Sequence, residues 1–241
     1  MNITSLTNEK VKYWFKLKQK KYRDSEGLFI IEGEHLVTEA IKKDRVKELL
    51  IAKDYNFSFP GQTYSVTNEI LKKLTSEVTT PKVIAIVNKL AEKEYGKKLL
   101  LIDSLGDPGN LGTIIRSAVA FNFDIVLGND TVDLYNEKTI RATEGMLFHV
   151  NILKRDLKEF ILELKKENYK IYGTDVNSNK SLYMSNFDGN IAILIGNEGV
   201  GINKELLSLC DETISIPINE SCESLNAAIA ASIIMYESER K

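Results

Sequence analysis

The sequence predicts an α/β protein in which a mostly parallel sheet with helices on both faces follows a small α/β domain. From residue 99 onward, short apolar runs alternate with segments whose apolar residues recur at helical spacing. Short buried strands joined by helices are typical of a parallel sheet covered on both faces. A charged, glycine-containing run at residues 91–98 is the best linker candidate. We therefore predict a first domain at 1–90, a linker at 91–98 and a second domain at 99–241.

The elements of both domains follow from these patterns. In the first domain we predict helices at 5–23, 34–43 and 68–74, strands at 27–33, 46–51 and 83–87, and a polar loop around 58–62. In the second we predict strands at 99–103, 125–127, 170–175, 191–195 and 213–218, and helices at 111–122, 136–145, 157–168, 203–209 and 224–239.

Composition narrows the class of protein. The 241 residues are 43% apolar and 27% charged, as in an ordinary globular protein, and no window approaches a transmembrane span. The polar start predicts no signal peptide. Cys210 and Cys222 lack CxxC spacing, so we expect reduced thiols in a cytoplasmic protein. His35 and His149 are too few and too scattered to indicate a metal site.

Basic residues are concentrated near the start of the chain. They occupy Lys10, Lys12, Lys16, Lys18, Lys20, Lys21 and Arg23, with aromatic residues interleaved. Such a segment suits RNA, because cations attract phosphates and rings stack on bases. The alternative is an amphipathic helix whose Val11, Trp14 and Phe15 face a core. We favour that alternative for the aromatic residues; for the lysines, RNA contact and plain solvation both remain open.

The most informative motif is Asp107–Arg116. It follows the apolar run at 99–102 and opens a helical pattern, so it forms a strand–loop–helix junction. Asp-Pro-Gly allows a tight turn with close backbone approach. Asn110 then lies at the helix entrance and Arg116 about two turns further on. An amide and a permanent cation thus stand at the mouth of a unit where α/β folds bind ligands.

A second junction carries three glycines. Gly196-Asn197-Glu198-Gly199-Val200-Gly201 directly follows the strand predicted at 191–195. Glycines here let backbone N–H groups face a ligand closely, although a sharp structural turn is the alternative. The segment matches neither the dinucleotide fingerprint nor the P-loop. Glu198 has little packing purpose in such a loop, so it would bind a cation or hydroxyl, or order the loop.

The third junction leads into the last helix. A strand ending in Ile216-Pro217-Ile218 precedes a polar segment ending in Glu223-Ser224-Leu225-Asn226. Glu223 or Ser224 could cap the helix, and Asn226 falls in its first turn, within reach of a neighbouring loop or ligand. The alanine-rich helix suits a subunit interface or ordinary core packing equally. Its predicted apolar stripe comprises Leu225, Ala228, Ile229, Ser232, Ile233 and Tyr236.

Together, these three segments resemble the SpoU/TrmH group of the SPOUT methyltransferases. The matching motifs are Asn110-x-Gly112-x-x-x-Arg116, Gly196-Asn197-Glu198-Gly199-x-Gly201, and Ile216-Pro217 followed by Glu223-Ser224-Leu225-Asn226. Residues 1–90, including Leu28–Gly33, resemble the small RNA-binding domain that often precedes this catalytic domain. The resemblance implies a trefoil-knotted catalytic domain, S-adenosylmethionine as methyl donor, 2′-O-ribose methylation of RNA and a homodimer.

The resemblance also implies site residues. The catalytic ones would be Asn110, Arg116, Glu198, Ser224 and Asn226. The cofactor-binding ones would be Thr174, Gly196, Asn197, Glu198, Gly199, Ile216, Ile218, Ser224, Leu225 and Asn226. For RNA binding we predict Lys10, Lys12, Lys18, Lys20, Lys21, Arg23, Arg116 and Arg141. Asn110 and Arg116 would face the target ribose, and Glu198 would support the site from the glycine loop.

Two positions depart from the family pattern. Glu220 stands where the family usually has glycine, and its side chain would either crowd the cofactor loop or point to solvent. Thr143-Glu144 stands where the family more often has serine and a neutral residue, which would alter the RNA-facing surface. Neither departure removes a residue expected to carry chemistry.

The expected function is methylation of a ribose in structured RNA, with 23S rRNA favoured. Arginine is a poor base, so we expect Arg116 to bind the neighbouring phosphate and stabilise charge on the 2′-oxygen. Alternatives are a tRNA methyltransferase, methylation that confers resistance to a ribosome-directed antibiotic, and a catalytically degenerate RNA-binding protein. An enzyme using another nucleotide cofactor is weakened by the missing dinucleotide fingerprint.

Overall fold

A computed structural model describes residues 1–240, which form two compact units. The first comprises residues 1–91 with 135–148, and the second comprises 92–134 with the described residues from 149 onward. Residues 135–148 thus group with the first unit, where Phe29 contacts the rings of Tyr135 and Phe148 at centroid distances of 4.6 and 6.4 Å. The functional division predicted at residues 90 and 99 stays a prediction.

The structure describes every residue of the first unit, which is built on a mixed five-stranded sheet in the order β1-β4-β3-β5-β2. Its strands are β1 (Asn2–Ile3), β2 (Leu28–Glu32), β3 (Val46–Ala52), β4 (Gln62–Val66) and β5 (Val83–Asn88). Its helices are α1 (Glu9–Lys16), α2 (Lys20–Glu26), α3 (Glu34–Lys42), α4 (Asn68–Leu74) and α6 (Glu137–Ala142). The core includes Trp14, Leu50 and Ile70, all buried.

The helix predicted at 5–23 is in fact two helices. Asn8 caps α1 by accepting a hydrogen bond from the Lys10 N–H at 2.8 Å. The helix ends at Lys16 with Leu17 as its C-cap, and the buried guanidinium of Arg23 donates to the carbonyls of Leu17 and Lys18 at 3.1 and 2.7 Å. These bonds satisfy carbonyls that the end of a helix leaves free.

Within residues 92–240, the second unit holds a six-stranded sheet in the order β11-β9-β10-β6-β7-β8, with every pairing parallel. The strands are β6 (Lys98–Ile102), β7 (Asp124–Leu127), β8 (Ile152–Lys154), β9 (Lys170–Thr174), β10 (Ile191–Ile195) and β11 (Glu212–Ile214). The helices are α5 (Pro108–Ala120), α7 (Leu157–Lys166), α8 (Lys204–Ser208) and α9 (Ala227–Glu239). Because the strands are parallel, the loops that follow β6, β9, β10 and β11 start at one edge of the sheet.

Several boundaries differ from the prediction. The strand predicted at 213–218 ends at Ile214, since Pro217 has no N–H to donate and Ser215 pairs with Ser181 only as an isolated bridge. The helix predicted at 136–145 is α6 followed by a 3₁₀ helix at Met146–His149. Three short strands, β1, β4 and β8, were not predicted.

The last helix also differs from the prediction. It begins at Ala227, with Asn226 rather than Glu223 or Ser224 as its cap. Its buried residues are Ala228, Ala231, Ile234 and Met235. The predicted stripe is therefore only partly right, because Ile229, Ile233 and Tyr236 are 52%, 36% and 60% exposed.

No helix within residues 1–240 combines the length and the apolar character that crossing a membrane requires.

Candidate active site

The first junction places Asn110 in the opening turn of α5. Asp107 caps this helix, accepting a hydrogen bond on Oδ1 from the Asn110 N–H at 2.7 Å. Pro108 occupies the first helical position, where its lack of an N–H costs nothing. The helix therefore begins three residues earlier than predicted, and the Asn110 side chain projects at the carboxyl edge of the sheet.

The glycine loop after β10 is held rigidly. The backbones of Asn197 and Gly201 exchange hydrogen bonds of 3.1 and 2.9 Å. The Asn197 side chain donates to the Ser104 carbonyl at 2.9 Å and accepts from the N–H groups of Gly199 and Val200 at 2.9 and 3.2 Å. This loop presents Glu198 outward, so the loop-ordering role that we left open for Glu198 belongs to Asn197.

Gly196 is required for the fold of this loop. A Cβ at this position would lie 2.3 Å from the Gly201 carbonyl carbon and from the Ile202 nitrogen, a distance that real Cβ atoms do not show. Backbone atoms cannot move aside as a flexible side chain can. Any larger residue at this position would force the loop open.

Three predicted catalytic side chains form one hydrogen-bonded series. Asn226 Nδ2 donates to Asn110 Oδ1 at 2.9 Å, and Asn110 Nδ2 donates to Glu198 Oε1 at 2.7 Å. The Asn226 Oδ1 accepts from the N–H groups of Ala228 and Ile229 at 2.9 and 3.3 Å. We call Asn226, Asn110 and Glu198 the amide relay.

The direction of the amide relay is set at the α9 end. Because the first N–H groups of α9 occupy the Asn226 oxygen, its NH₂ group must face Asn110. Asn110 then has to present its own oxygen to Asn226, which turns its NH₂ group toward the Glu198 carboxylate. The helix cap thereby orients both amides and anchors one oxygen of the carboxylate.

A cavity of about 470 Å³ lies beside the amide relay. Of the predicted cofactor-binding residues, all but Asn226 line it, namely Thr174, Gly196, Asn197, Glu198, Gly199, Ile216, Ile218, Ser224 and Leu225. Prediction missed Asp175, Asn177 and Lys204, which also line it. The only sequence feature that could have identified them is their place in the chain. Asp175 and Asn177 come just after β9, and Lys204 begins α8.

The walls of this cavity suit a ligand with an apolar ring and hydrogen-bonding edges. Ile195, Ile214 and Ile234 supply apolar surface beside the residues named above. Within residues 1–240, no hydrogen bond occupies the backbone N–H or carbonyl groups of Ile216, Ile218 or Leu225. Partly buried backbone groups normally find partners, so these are available to a ligand.

Glu220 does not obstruct the cavity. The Glu220 side chain is exposed and does not line the cavity wall. Of the two outcomes expected for this departure, it therefore points to solvent.

The second departure, Thr143-Glu144, combines a buried and an exposed residue. Thr143 is buried and its hydroxyl donates to the Ile140 carbonyl at 2.6 Å, which makes it a structural residue. Glu144 is exposed with a φ of 48°.

Arg116 stands apart from the amide relay. It is exposed on α5, and within the described chain no hydrogen bond or ion pair engages its guanidinium. Six positions along a helix place it about 120° around the axis from Asn110. No surface salt bridge therefore engages Arg116 within residues 1–240, and all five guanidinium donors remain available.

Ionisable groups on β9, on β11 and next to them do not line the cavity. Glu212 accepts from Lys170 at 2.8 Å and from Lys180 at 2.5 Å, and these bonds hold the pKa of Glu212 below its ordinary value. The bond to Glu212 raises the pKa of Lys170. Burial raises the pKa of the Cys210 thiol to about 11, so that thiol stays protonated at neutral pH.

The predicted RNA-binding residues of the first unit fall into two groups. Most are engaged within the protein: Lys10 pairs with Glu48, Lys12 with Glu9, Lys18 with Glu137, and Arg141 with Glu32 and Glu77. Arg23 is 6% exposed and serves the end of α1. Lys20 and Lys21 are exposed. Trp14 is buried, as we favoured for the aromatic residues, whereas Phe15 is 40% exposed.

No group of three or more His, Cys, Asp or Glu side chains with metal-binding geometry occurs in the described part of the chain. The absence of a metal from the mechanism stays a prediction.

Two family models match the chain. Residues 97–236 match the SpoU rRNA Methylase family, and residues 8–85 match the MRM3-like substrate binding domain. The chain belongs to the SpoU rRNA methylase family. The first match spans the whole site described above, from β6 through most of α9.

Relatives of this SpoU protein extend over its full length. The 23S rRNA (guanosine(2553)-2′-O)-methyltransferase RlmP of Bacillus subtilis is 39% identical, over 97% of each chain. The S-adenosylmethionine-bound rRNA methyltransferase of Sinorhizobium meliloti has a TM-score of 0.88 at 28% identity, covering 100% of this chain and 97% of that one. AviRb of Streptomyces viridochromogenes, a SpoU methyltransferase solved with the same cofactor, has a TM-score of 0.86 at 26% identity, covering 96% and 97%.

These findings confirm the predicted family and the α/β fold class. They also confirm the predicted enzyme class, an RNA 2′-O-ribose methyltransferase, and its cofactor, S-adenosylmethionine. The trefoil knot and the roles of single residues stay predictions.

Proposed function

We propose that this SpoU protein methylates the 2′-hydroxyl of one guanosine in 23S rRNA, at the position equivalent to the RlmP target. The observation that carries the proposal is the 39% identity to RlmP over 97% of both chains, substrate-binding region included. An alignment that covers the substrate-binding region as well as the catalytic domain favours a shared target over a tRNA. We place the protein in the cytoplasm, where it would encounter its RNA substrate.

The cavity would hold S-adenosylmethionine. Its apolar walls would receive the adenine ring, and the free backbone groups of Ile216, Ile218 and Leu225 would bind the ring edge. Thr174, Ser224 and the glycine loop would contact the remainder. When bound, the cofactor supplies an electrophilic methyl group. Gly196 preserves the shape of this wall, because it lets the Gly201 backbone approach closely.

Arg116 would act on the RNA rather than on the cofactor. The 2′-hydroxyl is a weak acid and would have to lose its proton on accepting the methyl group, while the cofactor's carbon–sulfur bond broke and its sulfur kept the electron pair. Arginine stays protonated, so Arg116 would bind the adjoining phosphate and stabilise the charge that develops on the 2′-oxygen. The phosphate or a water would take the proton. The unpaired, exposed state of the guanidinium supports this role.

The amide relay would hold the ribose end of the site. Glu198 Oε1 is anchored by Asn110, which leaves Oε2 to accept a hydrogen bond from a ribose hydroxyl. Asn226 is then a positioning residue, since it acts on Glu198 through Asn110. Ser224 lines the neighbouring cavity and would contact the cofactor.

A homodimer is part of the proposal. The exposed side of α9 carries Ile229, Ile233 and Tyr236, and the Tyr236 ring meets Phe121 of α5 at a centroid distance of 5.9 Å. A continuous apolar surface of this kind is typical of a subunit interface. The buried alanines of the same helix serve core packing against α5.

The degenerate RNA-binding alternative loses its support here. The departure that could have favoured it, Glu220 close to the cofactor-binding segment, points to solvent. A role in antibiotic resistance would depend on the same type of methylation. Mapping the modified nucleotide therefore distinguishes such a role from methylation at the position equivalent to the RlmP target.

The test is transfer of a tritiated methyl group from S-adenosylmethionine to unmodified total RNA, separated into rRNA and tRNA. We expect label in 23S rRNA alone. Label in tRNA alone would overturn the proposed substrate, and the absence of both label and cofactor binding would favour the degenerate binding protein.

A further inference from the structure

The end of α1 carries an exposed aromatic ring that the core does not use. Within the first unit, all of which is described, Phe15 is the one aromatic residue among the exposed large apolar side chains. Val11 and Trp14 of the same helix are fully buried and complete its inward face. Phe15 therefore lies on the outward side of α1, and exposing a phenylalanine ring to water has no benefit for folding.

One lysine lies over this ring, and a second lies over a neighbouring tyrosine. The Lys73 ammonium of α4 lies 5.4 Å from the Phe15 ring centroid, and the Lys16 ammonium lies 5.7 Å from the ring of Tyr22 on α2. We call Phe15, Lys16, Tyr22 and Lys73 the Phe15 surface. Lys20 and Lys21 follow directly at the start of α2 and are exposed.

The acidic groups of α1 and α2 do not neutralise this surface. Glu9 is paired with Lys12 at 2.6 Å and Asp24 with Lys89 at 2.5 Å. Glu26 accepts the Tyr13 hydroxyl hydrogen bond at 3.0 Å. Each carboxylate thus has a partner elsewhere, and the charge of Lys16 and Lys73 is left for an external anion.

We propose that the Phe15 surface binds an unpaired nucleotide of the substrate RNA, with its base stacked on Phe15 and its phosphates on Lys16 and Lys73. Stacking on an exposed ring requires a base that is not already paired, so the occupant is a loop or single strand rather than a duplex. The inference rests on the proposed RNA substrate and adds the surface and the form of RNA that it binds.

The test uses the full chain and Phe15→Leu, with Phe15→Tyr as the conservative control that keeps a ring. Dissociation constants are measured for an unmodified 23S rRNA transcript and for a uridylate oligonucleotide, together with KM and kcat for methyl transfer. We expect Phe15→Leu to weaken binding of both RNAs about 5-fold or more, the lower range for one base stack. Its kcat, cofactor affinity and melting temperature should match the wild type, and Phe15→Tyr should bind within about twofold of it, because the ring is retained.

A charge variant supplies a second readout. Lys73→Gln should lower the slope of log Kd against log salt by about 0.7, the value for one phosphate contact on a single strand. Lys43→Gln, which removes an exposed cation at the end of α3, should leave the affinity unchanged.

Three results would overturn the inference. They are unchanged RNA binding by Phe15→Leu, equal weakening by Leu and Tyr, or a loss explained by a lower melting temperature. If the wild type fails to methylate the transcript, the proposed function fails. The oligonucleotide arm still decides the inference in that case, since it requires only unpaired nucleotides.

Discussion

Asn226 Nδ2 donates a hydrogen bond to Asn110 Oδ1 at 2.9 Å, joining two residues that lie 116 positions apart in the chain. The same Asn226 caps α9 through its oxygen. One side chain therefore both starts a helix and orients the amide that anchors Glu198. This double role makes the amide relay testable by changing one atom of Asn226 and keeping the cap.

Asn226→Asp keeps the cap oxygen but replaces the donating NH₂ group with oxygen. Whichever way the Asn110 amide then turns, its oxygen faces a carboxylate, either the new one at position 226 or that of Glu198. We expect kcat to fall about tenfold or more, which corresponds to about 1.4 kcal/mol. The melting temperature and cofactor affinity should stay near wild type.

Asn226→Ala is the matched comparison, because it removes the cap and the relay together. It should lose activity and in addition about 1 kcal/mol of stability. Wild-type turnover in Asn226→Asp would show that the orientation of Asn110 is irrelevant to the reaction.

Arg116→Lys keeps the charge but removes the planar fork of donors. We expect turnover to fall about a hundredfold, in the range seen when a donor to developing oxyanion charge is lost. Calorimetric titration should show unchanged S-adenosylmethionine affinity, since Arg116 does not line the cavity. A rate close to the wild type would remove Arg116 from the mechanism.

Gly196→Ala tests the glycine loop. Its Cβ would sit 2.3 Å from backbone atoms of Gly201 and Ile202, so the loop must open and cofactor binding should be lost. Gly199→Ala is the control in the same loop, because its Cβ would meet Asn197 Oδ1 at an ordinary 3.6 Å. Calorimetry with both variants decides the point, and equal affinities would contradict the proposed wall of the cavity.

Ile233→Arg tests the proposed dimer. Ile233 is exposed on α9, so a charge there should leave the fold of one subunit intact but disrupt an apolar interface. Light scattering after size exclusion should give a dimer for the wild type and a monomer for the variant. Leu162→Arg, at an exposed position of α7, should remain dimeric. A monomeric wild type would contradict the proposal.

Much of the fold follows from apolar pattern alone. The strand at 191–195 and the helix at 68–74 have the predicted bounds, because their apolar residues are consecutive or at regular helical spacing. The short strands β1 and β8 are at sheet edges and carry too few residues for a pattern. The break after α1 depends on bonds from Arg23, a tertiary contact that no local pattern contains.

The candidate site, too, could be predicted only in part from the sequence. The motifs identified Asn110, Glu198 and Asn226 as candidates, but their order of bonding depends on three loops that meet only in the folded chain. We predicted Glu223 or Ser224 as the cap of α9, whereas Asn226 supplies it, because asparagine caps a helix as well as serine does. The unpaired state of Arg116 and the exposure of Phe15 depend on every neighbour and have no sequence signature.

Nucleoside analysis of RNA methylated by the wild-type protein tests the central claim most directly. Unmodified 23S rRNA is labelled with S-adenosylmethionine, and the modified nucleotide is identified by digestion and mass spectrometry. The account predicts a single 2′-O-methylguanosine, at the position equivalent to the RlmP target, and its loss in Arg116→Lys. A methyl group on a base, or label spread over many riboses, would contradict it.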